Sequence, residues 1–331
     1  AGWARRIEGE IIQSDREKEH IYLHKVPIGV AVGICPWNFP FFVMARKVAA
    51  SLITGNTCVI KPSSEAPNTV MEFADFIQKI ELPPGVLNFV CGAGRTVGNA
   101  LSKSPITGII SLTGSVGAGQ KIMSAAAENI TKVSLELGGK APAIVCADAN
   151  LDLALNSIVA SKVIFSGQVC NCAERVYVED SIYDEFVEKL TKKMSDVTIE
   201  DALTGTNADM SSLVSKAQID KISEMVEFAK KEGAEVLVGG KRPEKFDRGY
   251  YYEPTLLTNV SQQSEIIQEE VFGPVLPVMK FDTLDEAIAL SNDCQFGLTS
   301  SIFSENYNNI MRATNGLHFG ETYVNREHFE A

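Results

Sequence analysis

IGVAVGICPWNFPFFVMARKVAASLITGNTCVIK, residues 28–61, decides the fold. Two apolar runs, IGVAVGI (28–34) and TCVIK (57–61), enclose an amphipathic segment at about 40–53. Strand, crossover helix and strand in that order form the unit of a parallel sheet. The rhythm continues downstream, where VLNFVC (86–91), TGIISL (107–112) and KVSLEL (132–137) alternate with helical patterns at about 67–80, 96–103 and 118–129. An open, mostly parallel α/β sheet is the expected result. In such a sheet ligands sit beyond the carboxyl ends of the strands, so chemistry is to be sought in the residues that follow each run.

On the amino side, residues 9–27 (GEIIQSDREKEHIYLHKVP) give two short β-like runs around a charged turn. This hairpin has little core of its own and is expected to pair with another element or subunit. The first residues, 1–8, read as the end of a helix already under way, which with the lack of an initiating Met suggests further sequence upstream. After Gly139 the pattern restarts, with strands near 143–146, 175–178, 235–238 and 299–303 and helices at about 151–164, 181–195, 216–232, 284–292 and 306–314. The expected organisation is therefore a sheet domain over 28–138 and a second α/β domain over 139–331, without internal repeats or a long linker.

At 331 residues, 45% hydrophobic and 22% charged, the chain has enough apolar side chains for two packed domains. A balance of 30 Lys and Arg against 42 Asp and Glu, net −12, argues against a nucleic-acid partner. The seven cysteines, at 35, 58, 91, 146, 170, 172 and 294, suit the thiols of a reducing, cytoplasmic setting better than a disulfide framework. No run approaches the roughly 18 apolar residues of a membrane span, so no membrane partner is expected.

Five places could carry chemistry. The turn LTGSVGAG (112–119) joins a strand to a helix with Gly114 and Ser115 at its start, and backbone N–H groups there would suit a pyrophosphate; a plain tight turn explains it equally well. Lys61, at a sheet end in VIKPS, could meet a ribose or phosphate or could be a solvated surface lysine. SGQVCNC (166–172) leads a helix into Cys170, a potential nucleophile or simply one more buried thiol. Glu136, in VSLELGGK, lies between leucines that argue for a buried strand, and burial would raise its pKa toward that of a general base; the alternative is an edge carboxylate facing water. Two glycines follow it and leave room for something to approach. Asn38, between Trp37 and Phe39, offers an amide donor suited to an oxyanion, or an Asn turn before a proline. The four histidines, at 20, 24, 318 and 328, show no metal-like spacing, and no metal is expected.

Together PWNFP, KPS, TGS, ELGGK, GQVC and EEVFGP (269–274) stand in the order and spacing of the aldehyde dehydrogenase superfamily, and nearly the whole chain resembles it. The stretches GQVCNCAERVYV, FGPVLPV and FGETYVNRE look closest to its lactaldehyde and glycolaldehyde members. The resemblance implies a Rossmann-type cofactor domain, a second α/β catalytic domain and an oligomerisation hairpin at 9–27. It implies oxidation of a small (hydroxy)aldehyde to its acid with NAD or NADP. In that reading Cys170 attacks the carbonyl, the Asn38 amide and the Cys170 N–H hold the oxyanion, and Glu136 activates the hydrolytic water. Lys61 and Glu270 hold the two riboses, Trp37 and Ser115 contact the pyrophosphate, and Phe272 packs near the nicotinamide. Cys170, Asn38 and Glu136 are then expected to converge on one small cavity. Arg46 and Asn171 are candidates for binding a substrate hydroxyl, with a surface helix residue as the alternative for Arg46.

Two departures from the family pattern stand out. Where NAD-preferring relatives commonly have a glutamate that repels a 2′-phosphate, this chain has Ser64, so NADP use is open although NAD is favoured. Segments that in family subunits complete the cofactor domain and close the substrate funnel are expected to lie outside these residues, and the intact subunit is expected to be a homo-dimer or tetramer. Two rival readings remain: a cysteine hydrolase, which would need His318 or His328 as partner, and a catalytically inactive, truncated nucleotide-binding subunit.

Overall fold

The computed structural model describes Gly2, residues 5–204 and residues 207–328. The chain divides into two compact units, Ala1–Leu137 and Gly138–Ala331. In the first, β1 (Glu10–Gln13) and β2 (His20–Leu23) pair antiparallel with Glu10 opposite Leu23. All eight residues are exposed, and among the described residues no third strand joins them. The helix end expected over residues 1–8 falls partly outside the described residues, and none of those described there is helical.

The sheet of the first unit is built from β3 (Val30–Ile34), β4 (Thr57–Lys61), β5 (Leu87–Phe89), β6 (Thr107–Thr113) and β7 (Lys132–Glu136) in the order β5-β4-β3-β6-β7, all parallel. The crossovers are α1 (Pro40–Ile53), α2 (Asn68–Ile77), α3 (Asn99–Lys103), which continues a π-helical turn at Gly94–Gly98, and α4 (Val116–Ala126). Pro40 opens α1, where its fixed φ suits a helix and its missing N–H costs no bond. Ser115 caps α4, its Oγ accepting from the Ala118 N–H at 3.3 Å. One core face gathers Val32, Ile34, Ile110, Leu112 and Ile122; the other gathers Met44, Val48, Cys58, Ile60 and Val70. Helices thus cover both faces, and the strand order reverses between β3 and β6, which opens a crevice at their carboxyl ends.

One expectation fails here. The strand carrying Glu136 is not buried: β7 is the edge of its sheet, bonded to β6 alone, and Glu136 is exposed. Its residues alternate, so Val133 and Leu135 turn to the core while Lys132, Ser134 and Glu136 face outward. The leucines flanking Glu136 report the inner face of an edge strand.

The second unit holds β8 (Ala141–Val145), α5 (Leu151–Val163), β9 (Ala173–Glu179), α6 (Asp180–Ser195), α7 (Lys216–Lys231), β10 (Glu235–Val238), β11 (Thr255–Thr258), α8 (Glu265–Gln268), β12 (Val275–Phe281), α9 (Leu284–Asn292), β13 (Thr299–Phe303), α10 (Tyr307–Gly316) and β14 (Glu321–Val324). Its strands lie in the order β10-β11-β12-β9-β8-β13-β14, with β10 antiparallel to β11 and the rest parallel. The inner strands β8, β11 and β13 are buried at every residue, as strands covered on both faces must be. Ala143, Val145, Val176, Val178, Leu256 and Val278 pack with α5 and α6 residues such as Leu155, Ile158, Phe186 and Leu190. Among the described residues no helix is long and apolar enough to cross a membrane.

Candidate active site

Six of the expected site residues of the first unit lie at the carboxyl end of its sheet. Ile34 pairs with Lys61 and with Leu112, and Thr113 pairs with Glu136, so the residues after β3, β4, β6 and β7 share one edge. Trp37 and Asn38 follow β3 and are half-buried. Gly114 donates its N–H to the Glu136 carbonyl at 2.9 Å, which holds the Gly114–Ser115 turn beside the end of β7. The N-terminus of α4, capped by Ser115, faces the reversal of strand order, and that geometry fits a pyrophosphate. Lys61 is only 4% exposed, and its Nζ donates to the Pro62 carbonyl at 2.9 Å. Burial lowers its pKa, which rules out the solvated surface lysine. Ser64 is exposed, with its Oγ 3.5 Å from the Gly92 carbonyl. Arg46 is exposed on α1, its guanidinium 5.5 Å from the centre of the Phe42 ring.

Sequence reasoning missed Lys47. It is 9% exposed and its Nζ donates to Ser111 Oγ at 2.7 Å, on β6. Burial lowers its pKa, while the Cys35 thiol and the Glu136 carboxylate act in the opposite direction. The available signal was its place beside Met44 and Val48 on the buried stripe of α1, where an ammonium needs a partner.

In the second unit the approach to Cys170 is a bend of three consecutive left-handed residues: Phe165 (φ 47°), Ser166 (φ 56°) and Gly167 (φ 75°). The two that are not glycine cost on the order of 1–3 kcal/mol each and persist only where surroundings over-determine them. Here Ser166 Oγ donates to the Ser211 carbonyl at 2.7 Å and accepts the Ser211 N–H at 3.2 Å. Gln168 closes the bend, donating to the Phe165 carbonyl at 2.9 Å and accepting from the Val214 N–H at 2.9 Å. Through residues 166–178 every position is buried except Cys170, which is partly exposed. The fold thus presents this one residue. Cys172, by contrast, is fully buried, and burial pushes its thiol up to about 12. None of the seven cysteines is in a disulfide.

Asn171 is buried, and its carbonyl accepts from Thr299 Oγ1 at 3.1 Å and from His328 Nδ1 at 3.2 Å. Burial pushes His328 down to about 3, so its ring is neutral. Of the two histidines a cysteine hydrolase could use, His328 is bonded through Nδ1 to the Asn171 carbonyl and His318 is exposed. Among the described residues no cluster of His, Cys, Asp or Glu could hold a metal ion.

The two glycines after Glu136 acquire a physical reason within the second unit. A Cβ at Gly138 would lie 2.5 Å from Glu270 Oε2, and one at Gly139 would lie 2.4 Å from the Cys170 carbonyl oxygen. Gly139 also donates its N–H to Glu270 Oε1 at 2.9 Å. The groups that approach are therefore Glu270 and Cys170, two of the expected site residues. Burial pushes the Glu270 carboxyl up to about 7, against the lowering effect of the Gly139 N–H. Phe272 is left-handed at φ 58°, and Gln218 Nε2 donates to its carbonyl at 2.8 Å and to that of Val271 at 3.2 Å.

A doubly wound parallel sheet with a capped helix at its switch point, and a second unit in which the Cys170 backbone and the half-buried Glu270 carboxylate meet at Gly138 and Gly139, define an α/β protein of the nucleotide-binding kind. The sequence matches the Aldehyde dehydrogenase family over residues 1–331, and the chain belongs to that family of oxidoreductases acting on aldehydes. Lactaldehyde dehydrogenase of Escherichia coli (strain K12) is 56% identical over the whole chain, which covers 69% of that protein. A 3,6-anhydro-alpha-L-galactose dehydrogenase of Vibrio sp. (strain EJY3) is 44% identical over 99% of the chain and 68% of its own length. A D-glyceraldehyde dehydrogenase (NADP(+)) of Picrophilus torridus is 39% identical over 97% of the chain and 65% of its own length. Among solved structures, lactaldehyde dehydrogenase from Escherichia coli superposes with a TM-score of 0.98 at 56% identity, covering 100% of this chain and 69% of that one. A 3,6-anhydro-L-galactose dehydrogenase in complex with NAP superposes with a TM-score of 0.97 at 44% identity, with coverage of 100% and 69%.

Proposed function

We propose that this chain oxidises a small hydroxyaldehyde such as lactaldehyde or glycolaldehyde to its acid, with NAD as the favoured cofactor and NADP accepted, through a thioester on Cys170. The observation that carries the reading is the partial exposure of Cys170, just after a strained bend, within a stretch, residues 166–178, that is otherwise buried. The bend is held by Ser166 and Gln168, and the nucleophile follows it within three residues.

In the proposed reaction the Cys170 thiolate adds to the aldehyde carbon and forms a thiohemiacetal. The oxyanion is held by the Cys170 N–H and the Asn38 amide, donors typically worth about 3 kcal/mol each. A bound nicotinamide supplies the hydride acceptor, and loss of hydride leaves the thioester. Glu136 takes a proton from the water that attacks the thioester, and the acid leaves as the Cys170 thiolate is restored. The roles of Asn38 and Glu136 rest on their motifs, supported by their position at the carboxyl edge of the first unit's sheet. Lys61 would hold the adenine-side ribose and Glu270 the nicotinamide-side ribose, with Trp37, Gly114 and Ser115 at the pyrophosphate and Phe272 near the nicotinamide. Identity with lactaldehyde dehydrogenase supports the substrate class, and Arg46 and Asn171 remain the proposed hydroxyl-binding residues.

The test is a single turnover. Mixing the protein with NAD and glycolaldehyde should give a burst of reduced cofactor stoichiometric with Cys170, absent from Cys170→Ala. A folded sample that binds the cofactor and yields no burst would leave a nucleotide-binding role in place of catalysis.

A further inference from the structure

Lys140, Lys162 and Glu174 form a fully enclosed ion cluster in the second unit. Glu174, on β9, is 1% exposed and receives Lys162 Nζ at 2.8 Å on Oε1 and Lys140 Nζ at 3.0 Å on Oε2; both lysines are fully buried. Burial favours the neutral carboxyl, yet the two ammonium groups outweigh it and hold Glu174 down at about 2. A buried ion cluster is seldom the cheapest way to brace a core, because apolar side chains of like volume serve as well. What apolar side chains could not do is bond the backbone. Glu174 Oε2 accepts the Val271 N–H at 3.1 Å, and Lys162 Nζ donates to the Gly273 carbonyl at 3.3 Å.

Those two groups flank Phe272, whose left-handed backbone needs holding. The same loop is gripped at the Glu270 carbonyl by Lys221 at 2.7 Å and at the next two carbonyls by Gln218. The cluster also brackets the nucleophile in sequence, with Lys162 before the bend and Glu174 after Cys170. At the bend itself a Cβ on Gly167 would lie 2.3 Å from the Gly273 oxygen, so bend and loop are in backbone contact.

We infer that Lys162 and Glu174 are positioning residues that lock the Glu270–Gly273 loop in register with the Cys170 bend and so fix where the Glu270 carboxylate points. Neither touches substrate or cofactor; they act through the backbone of Val271 and Gly273. The consequence for the cofactor rests on the proposed function, in which Glu270 holds the nicotinamide-side ribose. The consequence for the loop does not.

Two variants test the inference. Glu174→Gln keeps an acceptor for Val271 but leaves two buried lysines without a counter-charge, a change that puts folding itself at risk. Lys162→Met removes the Gly273 bond and the ion pair at Glu174 Oε1 but leaves the Lys140–Glu174 pair and the Val271 bond on Oε2, so no buried lysine loses its counter-charge and the variant keeps the test decisive. In either folded variant the amides of residues 270–273 should exchange hydrogen at least tenfold faster, while those of α6 stay unchanged. The Kd for reduced nicotinamide cofactor should rise about tenfold, with kcat at saturating cofactor within about threefold of the parent. Unchanged exchange at 270–273 in folded Lys162→Met overturns the inference, as does a fall in kcat with Kd unaltered. If the parent protein binds no nicotinamide cofactor, the proposed function fails, and the exchange measurement alone then decides whether these residues lock the loop.

Discussion

The Glu270 carboxylate fills the space that a side chain at Gly138 would need, with Oε2 2.5 Å from where a Cβ would stand. Neither Gly138 nor Gly139 has a positive φ, so it is room and not backbone freedom that requires glycine at both. The two differ in what they would displace. At Gly138 the obstacle is the tip of a flexible side chain, and Gly138→Ala should fold with little loss of stability while Glu270 swings aside. The Kd for the nicotinamide cofactor should then rise about tenfold, or 1.4 kcal/mol. At Gly139 the obstacle is the Cys170 carbonyl, which cannot move without moving the thiol. Gly139→Ala should lose about 1–3 kcal/mol of stability and the burst with it. A Gly139→Ala protein with a full-sized burst would refute this account of the ELGGK motif.

Stability should depend on pH through three groups that do not act alike, the half-buried Glu270 and the buried His328 and Glu174. The Glu270 pKa is raised to about 7 from 4.5, so between those values the folded chain holds more protons than the unfolded one, and stability falls as pH rises. The span is worth on the order of 3 kcal/mol, fully lost above pH 7. His328 is pushed down to about 3 from 6.5, so its contribution is present above pH 6.5 and is lost as pH falls toward 3. Glu174, lowered to about 2 from 4.5, likewise loses its contribution on acidification below pH 4.5. Urea midpoints across pH 4 to 8 separate them. Glu270→Gln should gain on the parent as pH rises from 5 to 8, and His328→Gln should flatten the loss below pH 6.5. Parallel curves for parent and Glu270→Gln would mean that this carboxyl is solvated.

How much of this was legible in the sequence depends on whether the signal was local. The unit β3, α1, β4 was read with α1 at 40–53 and β4 at 57–61, as observed, because Pro40 and Gly55 punctuate strong periodic runs. β8 is expected at 143–146 and begins at Ala141; Pro142 is tolerated in it where the register with β9 shifts between Ala141 and Pro142. β11 and β12 were not read as strands. TLLT is buried throughout and shows no alternation, and Pro277 interrupts the second run. Cys170, Glu270 and the glycines were visible as motifs. Lys47, Lys140, Lys162 and Glu174 were not, since a buried charge is recognisable only with its partner, and those partners lie 12 to 64 residues away. The burial expected for Glu136 failed for a related reason: whether a strand is at an edge is a property of the sheet.

Cofactor choice should turn on Ser64. The residue is exposed at the end of β4, two residues beyond Pro62, and carries no charge to oppose a 2′-phosphate on an adenine-side ribose. Ser64→Glu would supply that charge together with an acceptor for a ribose diol. The expected result is a fall of at least tenfold in kcat/KM with NADP and little change with NAD. An unaltered ratio of the two would show that the ribose does not sit at this end of β4.

Arg46 offers a direct test of substrate class, because it is exposed on α1. The contact of its guanidinium with the Phe42 ring is worth about 0.5–1 kcal/mol at such a site. Arg46→Ala should therefore fold as the parent does, leaving any change in selectivity to be read directly. If the guanidinium receives the α-hydroxyl of the substrate, removing it strands that hydroxyl without a partner, at a cost of about 1–3 kcal/mol. The kcat/KM for glycolaldehyde and lactaldehyde should then fall ten- to a hundredfold while that for propanal stays within about threefold. Arg46→Lys should recover only part of the loss, because a single ammonium does not reproduce the planar pair of donors. A fall shared equally by all three aldehydes would instead assign Arg46 to the shape of α1, and the hydroxyl would have to be read by Asn171 or by no residue described in this chain.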